Sequence, residues 1–532
     1  MNRREFSKLL LATGTTGVAA QTGLFGDMVA YAQNGEGGLT AIIQPEPPLL
    51  VVALNQQIPV GIIGGKLYES LLSYDFDLSP RPQLAKSWTV SEDGLTYTFE
   101  LVDNAKWHDG TPFTAADVVF SCDVMLKEVH PRARANFDRC ESITAEGDHT
   151  VVFKLKEPFA PFLLAFETSS APIMPKHLYE GTDYRNNPAN DTPVGTGPFK
   201  LAEWVRGSHI RLEANADYYH EGEPGLTEIF YRVVPDGASR SVAMETGEAQ
   251  LSQFSDIETF DVQRLADMPH LDLTTKGYEF FSPVLWYEPN LRREPFNDVR
   301  FRKAMRLLLD PNFIVERIMF GLAQPATGPI ASTTKFYDAN VTTYEQDVEK
   351  ANALLDEMGL AKDADGKRIT IHHLVVPFGE MWTRLAEYFR QAMSAGGIEV
   401  VLDSTDPGGF AETVSNWDYD TTCNMLYQFG DPALGVARSY ISSNIRKGVM
   451  FTNTQGYENA EVDTLFAEAA VQTSEEARQE RYSKAQQILC DELPVLWMTE
   501  QKFATLYDNR IADLIVTATG VNANFAKAHY VK

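Results

Sequence analysis

Residues 369–432 have the sequence ITIHHLVVPFGEMWTRLAEYFRQAMSAGGIEVVLDSTDPGGFAETVSNWDYDTTCNMLYQFGDP. Its apolar, β-branched start predicts a strand over Ile369–Val375, and apolar residues at four-residue spacing predict a helix over Glu380–Ser394. Further strands are predicted over Ile398–Leu402 and Tyr419–Tyr427, with a short helix between them. This β-α-β-α-β order predicts a parallel sheet, and ligands of such sheets bind beyond the carboxyl ends of the strands. We therefore expect an α/β domain in this part of the chain.

A different pattern precedes this region. Thr96–Leu101 and Thr150–Leu155 alternate apolar and polar residues, which is typical of strands with one exposed face. A helix is predicted between them over Ala115–Lys127, with Thr114 as its cap. This pattern predicts a smaller α+β unit.

Two further helices are marked by their ends. Asp298 is predicted to cap a helix that runs through Leu309. Thr473 and Glu476 fit a capping box for a helix that stops before Pro494. These helices are expected to form core and to carry no chemistry.

Length and charge narrow the class of protein. The chain has 532 residues, which suggests about three structural units at roughly 150 residues per domain. Its 73 acidic residues outnumber 46 basic ones, giving a net charge of -27. Nucleic acid is an unsuitable partner, because phosphate backbones are bound by clustered Lys and Arg. After residue 32 no apolar run approaches the ~18 residues that a bilayer span requires.

The first 32 residues have the features of an export signal. Arg3 and Arg4 are followed by a modestly apolar stretch over Leu9–Ala20, and Ala30-Tyr31-Ala32 forms a small-x-small cleavage site. An amphipathic N-terminal helix is the alternative. The pattern predicts twin-arginine export and cleavage after Ala32. Since the first cysteine is Cys122, no lipid attachment site is available, and we expect a soluble periplasmic protein.

The cysteines and histidines do not predict a metal site. Cys122 and Cys140 are able to pair in an oxidising compartment, but each also lies among apolar residues, where buried free thiols are common. His372 and His373 are neighbours in a predicted strand and point to opposite faces, so they cannot bind one ion. We expect no metal and no cofactor.

Catalysis is the other chemistry that the sequence could carry. His108 next to Asp109 is reminiscent of an acid-base pair, but adjacent residues in a turn diverge. No Gly-x-Ser-x-Gly nucleophile motif is present. We expect no catalytic residues.

Several motifs occur in the order typical of one family. They are Leu84–Trp88, Ser91–Phe99, Trp107–Ser121, Pro193–Phe199 and Pro295–Arg300. In these segments the chain resembles the family 5 solute-binding proteins of ABC importers, which include dipeptide, oligopeptide and nickel binders. The similarity extends from about residue 45 to about residue 500.

The resemblance implies an α/β, two-lobed periplasmic-binding-protein-like fold (class II type) with an additional inserted α+β domain. Lobe I would combine residues 33–75, 195–280 and 500–532, the insert would be residues 76–194, and lobe II would be residues 281–499. Such a monomer captures a small molecule or peptide between its lobes. It delivers this ligand to the permease and ATPase subunits of the importer and performs no reaction itself.

The expected ligand site differs from that of dipeptide binders in this family. In dipeptide binders an Asp pairs with the ligand's amino group, and Gln428 aligns with that Asp. An Arg of those proteins binds the ligand's carboxylate, and its aligned position falls near Val376. A Trp of the same pocket falls near Met425. A neutral amide and an aliphatic side chain cannot supply two opposite charges. A free dipeptide held by both ends is therefore not expected, whereas oligopeptides held by main-chain hydrogen bonds remain open.

Candidate ligand contacts follow from positions at strand ends and between lobes. Aromatic and amide side chains there suit a neutral polar ligand, such as a sugar conjugate or a peptide backbone. The alternative for each aromatic residue is a place in the core. The candidates are Asn55, Gln56, Tyr278, Phe280, Phe378, Trp382, Tyr427, Gln428 and Asp431.

Two other functions stay open at this point. A secreted α/β hydrolase would need a nucleophile or a paired acid and base. A binding protein that signals would pass its closed form to a receptor instead of a permease.

Overall fold

Three β-sheets organise the computed structural model, which describes residues 37–254 and 256–531. The predicted export signal and its cleavage site lie outside the described residues. Within residues 37–254 and 256–531, no helix has both the length and the apolar character needed to cross a membrane.

The first sheet has seven strands and combines segments from both ends of the described chain. Gly38–Ile43 runs parallel to two neighbours, and the outer strands pair antiparallel. Helices Ile58–Leu67, Gly237–Glu245 and Thr259–Ala266 accompany this sheet. In spatial order its strands are Leu271–Thr274, Thr505–Asp508, Leu251–Ser252, Gly38–Ile43, Glu228–Val233, His209–Ala214 and Phe199–Val205.

The second sheet has four antiparallel strands: Ala85–Val90, Thr96–Leu101, Thr150–Leu155 and Cys140–Ala145. The predictions for its two central strands are confirmed to the residue. The predicted helix over Ala115–Lys127 is present but not uniform. It consists of Ala115–Val119, a π-helical stretch Phe120–Met125, and Leu126–Val129. Helix Pro131–Phe137, the 3-10 helix Ala160–Phe166 and the short helix Lys176–Tyr179 follow it.

The third sheet has six strands. Ile369–Leu374 pairs parallel with Ile398–Asp403 and with Thr421–Leu426, so the predicted parallel unit is confirmed. The spatial order is Ala323–Pro325, Leu496–Gln501, Val284–Pro289, Thr421–Leu426, Ile369–Leu374 and Ile398–Asp403. Its main helices are Val299–Leu308, Val348–Glu357, Glu380–Ser394, Pro407–Ser415, Ala460–Val471 and Glu475–Glu492. Two short strand pairs, Leu72–Tyr74 with Pro80–Pro82 and Ile511–Ala512 with His529–Tyr530, complete the strands named here.

Helix ends agree with the sequence in two cases and differ in one. Helix Glu380–Ser394 ends before Gly397, whose positive φ of 73° suits glycine. The Asp298 side chain accepts a hydrogen bond from the Arg300 N–H, as predicted for a cap. The predicted capping box at Thr473 is wrong by one residue. Ser474 is the cap, because its hydroxyl accepts from the Ala477 N–H at 3.3 Å.

The histidines and cysteines considered as metal ligands or disulfide partners are either buried in the protein or paired with neighbouring side chains. His373 is 1% exposed and its Nδ1 lies 3.0 Å from the Thr421 hydroxyl, whereas the His372 side chain is exposed beside Asp403. Cys122 and Cys140 are buried free thiols. Among the described residues, no group of three or more His, Cys, Asp or Glu side chains is placed to hold a metal ion.

A buried ion pair fixes the segment that follows strand Thr421–Leu426. Arg478 Nη2 lies 2.8 Å from Asp431 Oδ1, and both side chains are nearly inaccessible. The same carboxylate accepts from the Ala433 N–H at 2.9 Å. The pair therefore joins this segment to helix Glu475–Glu492.

Breaking this buried pair is expected to destabilise the protein strongly. In Asp431→Asn the Arg478 charge loses its partner in the interior, which costs about 3–5 kcal/mol. Urea unfolding measures the loss. The control is Asp418→Asn, which breaks the pair with Arg293 at a carboxylate 80% exposed and should cost less than about 1 kcal/mol. Equal losses in the two variants would contradict this assignment.

His130 is buried as a neutral ring at the start of helix Pro131–Phe137. Its Nδ1 accepts from the Ala133 N–H at 3.1 Å, and its Nε2 lies 3.0 Å from the Ser169 carbonyl oxygen. Burial, aided by the charge of Arg132, lowers the pKa of His130 to about 3. A protonated ring would lose the cap, because Nδ1 could no longer accept.

Stability should therefore depend on the protonation of His130. Its folded pKa lies below the unfolded value, so the stabilisation is complete above about pH 6.5 and is lost as pH falls. Asn keeps a capping acceptor but does not titrate. Relative to His130→Asn, the wild type should lose about 3 kcal/mol of unfolding free energy between pH 7 and pH 4. Parallel pH profiles of the two proteins would refute the prediction.

Candidate ligand-binding site

The chain passes between the seven-stranded and six-stranded sheets twice. It leaves the seven-stranded sheet after Thr274, enters the six-stranded sheet at Val284, and returns over residues 502–504. We call residues 275–283 and 502–504 the crossing segments. Two sheets joined by two short segments can change orientation through small dihedral changes within those segments.

A hydroxyl group ties the crossing segments together. Tyr278 Oη lies 2.7 Å from Thr505 Oγ1, at the end of the second crossing segment. The same hydroxyl accepts from the Phe254 N–H at 3.2 Å. Since Tyr278 is 5% exposed, these bonds are shielded from water. The two connections therefore meet at one point.

Five aromatic rings, which we call the crossing cluster, surround this point. Phe503 lies 4.9 Å from Phe254 and 5.4 Å from Tyr278, measured between ring centroids. Tyr427 lies 5.5 Å from Phe281 and 6.4 Å from Phe503. These separations are in the range that aromatic pairs prefer. Tyr427 is only partly buried, so it keeps part of its surface open.

The backbone is strained around the crossing cluster. Phe254, Ser282 and Phe429 have φ values of 49°, 37° and 51°, which non-glycine residues rarely adopt. Each such residue costs about 1–3 kcal/mol and persists only where its surroundings impose it. Strain of this kind is common at ligand clamps and hinges.

Two buried acceptors beside the cluster have no donor among the described residues. They are Gln253 Oε1 and Asp256 Oδ2, which follow the short strand Leu251–Ser252. Burial raises the pKa of Asp256 to about 8, although the Arg240 charge acts in the opposite direction. A neutral carboxyl at this place can both donate and accept a hydrogen bond.

The structure brings four of the predicted contacts together. Tyr278 and Tyr427 belong to the crossing cluster, and the Gln428 N–H donates to the Phe281 carbonyl at 2.7 Å. Phe280 lies beside them but is fully buried, with its ring 5.5 Å from that of Tyr74. Phe280 thus contributes to the core.

Gln428 and Asp431 are engaged by the protein itself. Gln428 Oε1 accepts from the Ala331 N–H at 3.0 Å, and its Nε2 donates to the Pro329 carbonyl at 2.9 Å. Asp431 is occupied by Arg478, as described above. Both side chains hold the loop that follows strand Thr421–Leu426.

The remaining predicted contacts occupy other surroundings. Asn55 Oδ1 accepts from the Gln57 N–H at 2.8 Å, and Gln56 is exposed beside it. Phe378 is 58% exposed and lies 6.2 Å from the ring of Phe410. Trp382 packs against the core of the six-stranded sheet.

The histidine and aspartate that could suggest catalysis point to different partners. His108 Nε2 lies 3.0 Å from the Gly197 carbonyl oxygen, and its Nδ1 accepts from the Gly195 N–H at 3.1 Å. Asp109 instead contacts His177 at 2.7 Å. His108 therefore attaches the turn to the Gly195–Gly197 bend.

Sequence reasoning missed Gln253, Phe254, Asp256 and Phe503. The first three follow Leu251–Ser252, a strand of two residues that is too short for a recognisable period. Phe503 lies between strands of different sheets, and no local pattern relates it to Phe254. The structure shows why they matter, since Leu251–Ser252 runs parallel to Gly38–Ile43 and Gln253, Phe254 and Asp256 follow its carboxyl end, but no sequence pattern indicates that pairing.

Comparison with known proteins places this geometry in context. The family model described as bacterial extracellular solute-binding proteins, family 5 Middle, matches residues 79–447. The oligopeptide-binding protein AppA of Bacillus subtilis (strain 168) is 28% identical over 454 residues, covering 82% of this chain and 81% of that protein. The probable D,D-dipeptide-binding periplasmic protein DdpA of Escherichia coli (strain K12) is 28% identical over 463 residues, covering 84% and 85%.

A solved structure gives the same result for the fold. Bacillus subtilis AppA in complex with a nonapeptide superimposes with a TM-score of 0.79 at 25% identity, covering 93% of this chain and 99% of that one. The two-lobed α/β fold expected from the resemblance is confirmed by this match. The chain belongs to the family 5 bacterial extracellular solute-binding proteins.

Proposed function

We propose that this protein is the solute-binding component of an ABC importer and that it encloses its solute between the seven-stranded and six-stranded sheets. The observation that carries the proposal is the pair of crossing segments, joined at Tyr278 and Thr505 and surrounded by strained backbone. Such a connection permits two lobes to rotate about one point, which is how binding proteins close on a ligand. The family assignment supports it.

For the lobes we keep the division expected from the sequence as part of the proposal. Lobe I comprises residues 33–75, 195–280 and 500–532, the insert residues 76–194, and lobe II residues 281–499. The seven-stranded sheet falls within lobe I and the four-stranded sheet within the insert, whereas strand Leu496–Gln501 of the six-stranded sheet extends two residues past the lobe II boundary. The insert also reaches across to lobe II, because Phe429 and Ala470 pack with its core.

We place the solute beside the crossing cluster. Tyr427 is only partly buried, while Gln253 and Asp256 offer acceptors that have no donor among the described residues. A polar solute with hydrogen-bond donors would satisfy both acceptors. Asn55, Gln56, Phe378 and Trp382 remain candidates for contacts at the rim.

Peptides are the first solutes to consider, because AppA and DdpA are named for peptide binding. A free dipeptide held at both ends is disfavoured. The amide of Gln428 is held by main-chain groups of Pro329 and Ala331, and Val376 is a buried aliphatic side chain. A longer peptide held by its main chain needs neither side chain to carry charge.

Export and partners complete the proposal. The Arg3-Arg4 pair directs twin-arginine export, cleavage follows Ala32, and the mature monomer works in the periplasm. The closed form docks on a permease whose ATPase subunits supply the work. The protein performs no reaction on its solute.

A ligand panel tests this function. Thermal and urea unfolding are followed with oligopeptides, free dipeptides, opines, sugar conjugates and metal chelates. A compound at 100 times its dissociation constant should raise the unfolding free energy by about 2.7 kcal/mol, and chromatography should recover it unchanged. Tyr427→Ala should weaken the strongest hit at least tenfold, whereas Phe76→Ala, at another partly exposed ring, should not.

Two outcomes of the panel would contradict the proposal. Conversion of a panel compound by the pure protein would identify an enzyme. Free dipeptides among the strongest hits would show that Gln428 and Val376 do not exclude a zwitterion.

A further inference from the structure

Two arginines from opposite sides of the interlobe boundary approach one phenylalanine ring. Arg132, in helix Pro131–Phe137 of the insert, has its guanidinium carbon 4.2 Å from the centroid of Phe429. Arg438, from lobe II, lies 5.4 Å from the same centroid. The two guanidinium carbons are therefore no more than about 10 Å apart, a separation at which like charges repel inside a protein.

Neither arginine forms an ion pair with a carboxylate of the described residues. Within residues 37–254 and 256–531, no Asp or Glu oxygen lies within 4.0 Å of a nitrogen of Arg132 or Arg438, although many other arginines form such pairs. Arg132 donates to the Ser169 carbonyl at 3.0 Å, and Arg438 Nε donates to the Gly435 carbonyl at 3.1 Å. Carbonyl oxygens orient the guanidinium groups but do not neutralise them.

The surroundings make this charge costly. Both side chains are partly buried, and Arg132 Nε is inaccessible and has no acceptor. Burial, followed by the charge of Arg132, lowers the pKa of Arg438 to about 10. In a chain of net charge -27, two adjacent unpaired cations are unusual.

One carboxylate lies close enough to act on Arg132. Burial lowers the pKa of Arg132, and the charge of Glu167, which is 2% exposed, opposes that shift. Glu167 Oε2 is engaged by the hydroxyls of Ser169 and Ser170, and its Oε1 has no donor among the described residues. It balances at most one of the two positive charges. One positive charge remains uncompensated where the insert meets lobe II.

We infer that Arg132 and Arg438 form a subsite for an anionic group of the solute, and that a carboxylate held there draws the insert and lobe II together. This inference rests on the proposed function and adds that the solute carries an anionic group. Arginine binds carboxylates through paired N–H donors, and such bonds are strong when partly buried. Phe429 lies 6.1 Å from Tyr427, so the subsite is continuous with the crossing cluster.

The subsite differs from the neutral ligand expected from the sequence. Arg132 and Arg438 are more than 300 residues apart, and each alone reads as an ordinary surface arginine. Both arginines contact the ring of Phe429, which lies in the loop after strand Thr421–Leu426, two residues before Asp431. Placing two cations close together costs free energy, and a bound anion would offset that cost.

Acetate is the probe for this subsite, because it is a carboxylate and needs no knowledge of the natural solute. The apparent dissociation constant of acetate is measured by thermal unfolding of the mature protein, with chloride at equal ionic strength as reference. Acetate should stabilise the wild type beyond chloride. Arg132→Gln and Arg438→Gln should each weaken acetate binding at least tenfold, while Arg438→Lys should retain part of it.

Arg206→Gln is the matched control. Arg206 also lies over an aromatic ring, 3.4 Å from the centroid of Trp204, and contacts the carbonyl oxygens of Pro47 and Pro48, with no carboxylate partner in the described part of the chain. Unlike Arg132 and Arg438, it is exposed. This variant should bind acetate as the wild type does.

The result separates this inference from the proposed function. Acetate no better than chloride in the wild type, or equal acetate binding in the wild type and Arg438→Gln, would overturn the anion subsite. Solutes found in the panel would still support an importer component. If Arg438→Gln does not fold, Arg438→Lys is measured in its place. Acetate affinity equal to that of the wild type in both Arg438→Lys and Arg132→Gln would then overturn the anion subsite.

Discussion

The arrangement of this protein depends on the contact between its two crossing segments. Tyr278 and Thr505 share a hydrogen bond at 2.7 Å, and the ring of Phe503 packs on those of Tyr278 and Phe254. The two connections between the sheets are thereby joined at one buried point, where small dihedral changes can alter the orientation of the sheets. How far a solute shifts the protein to the closed arrangement is then set by how much better that arrangement binds the solute than the open one does.

Charge around this contact is distributed unevenly. Gln428, Asp431 and Arg478 satisfy one another or the main chain, so the loop after Thr421–Leu426 is held firmly. Arg132 and Arg438 both lie over the ring of Phe429 in that loop, and Glu167 balances at most one of their two charges. A rigid loop that presents unbalanced charge is suited to recognition, because little ordering is required when a ligand binds.

The sequence was informative where the structure is local. The period of apolar residues predicts Glu380–Ser394 to the residue and the parallel strands to within two residues. It does so because the direction of side chains repeats with the period of the helix or strand that carries them. The sequence places the helix cap at Thr473, one residue before the true cap Ser474. Both residues have a hydroxyl that could cap the helix, and only the backbone angles show which of them does. The site was less accessible to prediction. Phe254 with Phe503, and Arg132 with Arg438, are brought together by the tertiary fold alone.

Small-angle X-ray scattering tests the central claim, that the two lobes close about the crossing segments when a solute binds. The mature protein is measured alone and saturated with the compound that stabilises it most in the ligand panel. A smaller radius of gyration in the saturated protein is the result expected here. Superimposable scattering curves from the free and saturated protein would contradict the account.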